Sequence, residues 1–179
     1  MTVHPPPTPS DVIALLQQNR ASICRLLEAY AALCERNDDT GGEKLAVAER
    51  LNLELTLDTQ VEEEVLFPSL HAAGLNLGPF QALHDSAWGL VAQMSMGQPG
   101  DIRFDEKMLS MGRDLATRMR QVHDETLPLL PGVGIDLNDL GARMNVRKRD
   151  LMKAFDSPAQ VEDEDDDPVG EVGPQSPME

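Results

Sequence analysis

The chain has few aromatic residues, few basic residues and little cysteine. One Trp, one Tyr and four Phe occur in 179 residues, so its core must be filled by aliphatic side chains and its nine Met, which suits packed helices. Fifteen Lys and Arg stand against 31 Asp and Glu, for a formal net charge of −16. Phosphate backbones need a basic surface, so nucleic acid is not an expected partner. Cys24 and Cys34 are the two cysteines. Ten residues along one helix is about 15 Å, beyond disulfide reach, so they read as reduced thiols of a cytoplasmic protein. No apolar stretch reaches the roughly 18–20 residues that span a bilayer, and residues 1–9 are a Pro-rich polar lead with no signal-peptide core. A membrane is therefore not an expected partner either. Strand signals are weak, with no sustained alternation of β-branched residues. What these absences leave is an all-α, soluble, cytoplasmic chain.

Helical periodicity is what the sequence does have. The spacing predicts a first helix over about residues 10–36, capped by Ser10, with Ile13, Leu16, Arg20, Ile23, Leu27, Tyr30 and Cys34 facing inward. A second helix is predicted over about 43–66, with Leu51, Leu55, Asp58, Glu62 and Val65 on one face and Pro68 ending it. The third spans about 80–96, with Phe80, His84, Ala87, Val91 and Met94 in phase. The fourth runs over about 104–127, carrying Met111, Leu115, Arg118, Val122 and Glu125, and is stopped by Pro128 and Pro131. A fifth over about 136–155 presents Leu140, Met144 and Leu151 on one side and exposes Arg147, Lys148 and Arg149. The domain is thus expected to cover residues 10–156. Residues 157–179 hold eight acids and no Lys or Arg, a composition expected to stay disordered. The short basic cluster at Arg147 is suited to attracting that acidic tail rather than nucleic acid.

One segment occurs twice. Asp58, Glu62 and Pro68 are matched 63 residues later by Gln121, Glu125 and Pro131. Upstream, Arg20 lies 38 residues before Asp58 and His84 lies 37 before Gln121. This reads as two helical hairpins, each offering polar residues at matching depth. Carboxylates and imidazoles meeting inside a four-helix bundle are how such a protein holds metal ions.

The segment Val61-Glu62-Glu63-Glu64-Val65-Leu66-Phe67-Pro68 resembles hemerythrin-like (HHE cation-binding) proteins. So do the run from His84 to Val91 and the stretch Leu140-Gly141-Ala142-Arg143-Met144. The resemblance spans roughly residues 11–155. It implies an up-down-up-down four-helix bundle with an additional C-terminal helix. It also implies a carboxylate-bridged di-iron centre that senses or carries oxygen, or handles iron or nitric oxide. Of that ligand pattern only Glu62, His84 and Glu125 are present. Arg20, Asp58 and Gln121 occupy the positions of the other three histidines. Arginine cannot deprotonate to coordinate a metal. Arg20 and Arg118 facing Asp58, Glu62 and Glu125 therefore predict a salt-bridged core in place of the metal.

The expected function follows: a non-catalytic regulatory, structural or interaction module with a degenerate metal site. No nucleophile–base pair, phosphate loop or CxxC motif suggests an enzyme. The alternative is a metal-binding protein for oxygen or redox sensing or metal storage. It would hold Fe or Mn, or Zn, on Asp58, Glu62, His84 and Glu125, with its metal weakly bound. The partner classes left open are another protein and a second copy of this chain. His123, His71 and Trp88 are expected to be surface or packing residues, and of the three glutamates 62–64 one at most faces inward.

Overall fold

The structure is a computed structural model that describes residues 11–36 and 40–156. The expected lead (1–9) and acidic tail (157–179) lie outside the described residues. Among those residues there is no strand, and no helix is long and apolar enough to cross a membrane.

Helix α1 is Val12–Glu35. Its N-cap is Asp11 rather than Ser10. Asp11 is extended, and its Oδ1 accepts from the amides of Ile13 (2.6 Å) and Ala14 (3.3 Å), two of the donors a helix start leaves unpaired. Helix α2 is Gly41–Val61. It does not stop at Pro68. A π-helical turn, Glu62–Leu66, leads into the short α3, Phe67–Ala72. Gly74, at φ 77°, ends that run in a conformation open to glycine. Helix α4 is Gly78–Ser95. Helix α5 is Ile102–Gln121, capped by Asp101 through the amides of Arg103 (2.9 Å) and Phe104 (3.3 Å). A second π-helical turn, Val122–Thr126, and a 3₁₀ turn, Leu127–Gly132, follow it. Helix α6 is Leu137–Asp156, capped by Asp136.

The two π turns share one cause. In an α-helix the proline ring clashes with the carbonyl four residues back and has no amide to donate. Both turns widen the backbone just before a proline. The Phe67 amide reaches the Glu62 carbonyl, and the Leu127 amide reaches that of Val122. Pro68 and Pro128 thereby continue the helical path that they were expected to end.

α1 touches α2, α2 touches α4, α4 touches α5, and α5 returns to α1. α6 lies across α1, α2 and the first π turn. The core inside this closed order is aliphatic. Leu16 and Ile23 of α1, Leu51 and Leu55 of α2, Leu90 of α4 and Leu115 of α5 are buried with Phe80, and α6 adds Leu140 and Met144. Each such side chain contributes about 1.5–3 kcal/mol on burial.

Candidate functional site

Four of the polar residues in the apolar stripes meet. Arg20 on α1, Asp58 on α2, Glu62 at the first π turn and His84 on α4 are all buried. They line one small cavity of about 20 Å3 together with Ile23, Leu55, Thr59, Leu83, Ala87 and Met119. His84 lies between two glutamates, with Nε2 2.8 Å from Glu62 Oε2 and Nδ1 3.2 Å from Glu63 Oε1. The Trp88 indole donates to the same Glu63 oxygen at 3.1 Å. Adjacent residues on an α-helix diverge; here both reach opposite sides of one ring from the π turn. Burial alone would lower the His84 pKa, but hydrogen bonds and charge from Glu62 and Glu63 outweigh it and hold the imidazole above its ordinary value. Both ring nitrogens can then donate, as an imidazolium. Phe67 lies against His84, ring centroids 4.6 Å apart.

Arg20 is 6% exposed. Its guanidinium sits 3.9 Å from Glu62 Oε1 and 5.6 Å over the Phe80 ring, an arrangement that favours a cation. Its three guanidinium nitrogens have no hydrogen-bond partner among the described residues. Arg20 therefore balances charge without a hydrogen bond to the carboxylate. Asp58 takes its hydrogen bond from Asn19 Nδ2 instead, and Asn19 Oδ1 accepts from Lys148 Nζ of α6 at 3.2 Å. Burial and the Glu62 charge push the Asp58 carboxyl up to about 7, against the opposing pull of Lys148, Arg20 and Asn19.

The helix-four half of the expected set is elsewhere. Gln121 and Glu125 are exposed and bonded to each other, Nε2 to Oε2 at 3.2 Å. Arg118 is half-exposed and held by Asp114 at 3.0 Å. None of the three lines the cavity. The reason is register. The π turns, the prolines Pro68 and Pro128, and the buried Leu70 and Leu130 correspond at an offset of 60, not 63. On that alignment the position of Glu62 is held by Val122, which is buried. A three-residue slip rotates a helical position by about 60°, enough to take Glu125 off the buried face. Met119 of α5 reaches the cavity in its place.

Of the glutamate run only Glu62 is buried, as expected, but the two exposed members also have partners. Glu62 and Glu63 flank His84, and Glu64 holds Arg147 of α6. His123 and His71 are exposed, as expected; His123 meets Asp124 at 2.9 Å.

A second buried polar cluster carried no sequence signal beyond ordinary polar residues. Asp105 of α5 accepts from Tyr30 Oη of α1 and from Lys44 Nζ of α2, each at 2.6 Å, and from the Gly100 amide at 3.1 Å. Burial raises the Asp105 pKa, but these donors outweigh it and hold the carboxyl below the usual range.

A di-iron centre does not fit these residues. Arg20 brings a fixed cation to the cavity, both His84 nitrogens face carboxylates, and α5 contributes a thioether. Among the described residues, no group of three or more His, Cys, Asp and Glu side chains converges as a metal site. No family model, curated protein or solved structure matches the chain.

Proposed function

We propose that the chain is an up-down-up-down four-helix bundle of the hemerythrin type, closed by α6, in which an ion cluster has replaced the metal. It acts as a non-catalytic regulatory, structural or interaction module. The Arg20 guanidinium and the His84 imidazole, its pKa raised, face Glu62, with Glu63 behind the histidine and Asp58 holding a proton at acid pH. Burying carboxylates is costly unless they are paired. The cluster supplies the counter-charge that metal ions supply elsewhere, and a metal entering beside Arg20 would meet electrostatic repulsion.

The observation that carries this reading is the guanidinium of Arg20, buried against Glu62, where the resemblance expects a ligand histidine. The test is elemental analysis of protein produced with iron and manganese in the medium. The expected result is well under one tightly bound transition metal per chain. Near-stoichiometric iron that disappears in Glu62→Ala would overturn the proposal in favour of oxygen or redox sensing or metal storage.

A further inference from the structure

α6 carries five of the chain's fifteen basic residues, Arg143, Arg147, Lys148, Arg149 and Lys153. Two of them are engaged on the surface: Arg143 with Asp139 and Arg147 with Glu64. Arg147, the residue around which the sequence suggested an attraction for acid, is therefore committed. Further positive charge lies beside it, with Arg25 open and Lys148 bonded to Asn19. A groove of about 280 Å3 between α1, α2 and α6 is lined by Arg25, Arg50, Glu54 and Lys148, over Leu53, Leu57 and Met152. Glu54 is bonded to Arg50 at 2.6 Å and faces Lys148 at 3.8 Å, so it offsets one of the three cations. Arg25 is exposed and has no hydrogen bond or ion pair among the described residues. A groove with two surplus positive charges runs against the grain of a chain whose net charge is −16.

The same chain supplies a complement. Glu162, Asp163, Glu164, Asp165, Asp166 and Asp167 are six consecutive acids, flanked by Val161 and Pro168. The distances allow a return. Lys148 lies eight residues before Asp156, about 12 Å back along the helix at ~1.5 Å per residue. Six residues from Asp156 to Glu162 reach up to roughly 20 Å when extended. We propose that the groove between α1, α2 and α6 is a docking site for the acidic run at residues 162–167 of the same chain, with Arg25 as its main charge partner and the partly engaged Lys148 and Arg50 beside it. Each exposed ion pair is weak. Several made together by a tethered segment act at a high effective concentration and are screened by salt. An acidic partner reaches this groove only by displacing the chain's own segment. The inference is independent of whether the core holds metal.

The test uses the full-length chain bearing Arg25→Lys, which keeps the charge and places a reactive amine at the groove. A carbodiimide that couples amines to carboxylates with no spacer is applied to the monomeric fraction, and cross-linked peptides are identified by mass spectrometry. The expected result is coupling of position 25 to residues 162–167 several-fold above that of Lys107, an exposed lysine of α5. That coupling should fall several-fold when salt is raised from about 0.05 to about 0.5 M, which shortens the screening length, and when Arg50→Glu is added. Coupling no greater than that of Lys107 overturns the proposal, as does coupling indifferent to both salt and Arg50→Glu. Cross-links confined to a dimeric fraction would assign the groove to a second copy and overturn it equally.

Discussion

Arg20 and His84 sit on the same glutamate yet differ in how they are held. His84 is hydrogen-bonded on both ring nitrogens, whereas Arg20 contributes charge and packing but no hydrogen bond. An unpaired buried donor costs about 1–3 kcal/mol, a cost that an apolar side chain of similar volume removes; losing one partner of a buried pair is strongly destabilising when it leaves an uncompensated charge. Glu62 keeps His84. Arg20→Met is therefore expected to change stability by no more than about 1 kcal/mol, whereas Glu62→Ala strands the buried Arg20 and leaves His84 only the exposed Glu63, and should cost about 3–5 kcal/mol. Urea unfolding of both variants checks the contrast, and equal losses would sink it. The cluster also sets a pH dependence. Asp58 holds its proton up to about pH 7, against about 4 for a free carboxyl. The stability it confers is present below about pH 4 and is lost as pH rises through about 7. The raised His84 pKa acts with the same sign, its share being lost above the ordinary histidine range. Asp58→Asn should flatten the fall in unfolding midpoint between about pH 4 and 7; an unchanged slope would show that Asp58 is not its source. Arg20, Asp58, Glu62 and His84 could be singled out from the sequence as polar residues on apolar stripes. Asn19 and Lys148 could not, because nothing local marks which neighbour will satisfy a buried carboxylate.

At the level of elements, Asp105 ties three helices together through Tyr30 and Lys44. With the Lys44 and Asp105 side chains each only 11% exposed, removing the carboxylate leaves a nearly buried ammonium and a phenol without partners. Asp105→Ala is expected to destabilise the fold by about 3–5 kcal/mol, read from denaturant unfolding. Its carboxyl is held below the usual range, so its contribution is present above about pH 4 and disappears on acidification through its folded value. This sign is opposite to that of Asp58. The prolines teach a related lesson. Pro68 and Pro128 were legible as interruptions, but a wider backbone turn absorbs each of them. The choice between stopping and widening depends on whether Leu66, Leu70, Leu127 and Leu130 find a core to enter, and all four are buried.

For the whole molecule, α6 joins the core through Leu140 and Met144 and reaches the ion cluster through Lys148. Residues 157–179 carry eight acids and three apolar valines but no aromatic residue; they can add salt-dependent ion pairs, not core. Removing them should leave helical content unchanged and shift stability by less than about 1 kcal/mol; a large loss of helix by circular dichroism would refute this. The sequence by itself determined that the described chain is helical, where its long helices lie to within a few residues, and which face is apolar on all of them but α5, whose buried face turns away from Arg118 and Glu125. Those properties follow from a 3.6-residue period that every local segment carries. The tertiary structure decided the rest: an offset of 60 rather than 63, the exposure of Gln121 and Glu125, the pairing of His84 with two adjacent glutamates, and the lack of hydrogen bonds to Arg20. A helix's own period says which side is buried, but the partner met there depends on the rotation and axial register of a neighbouring helix. Those are set only when the whole core closes.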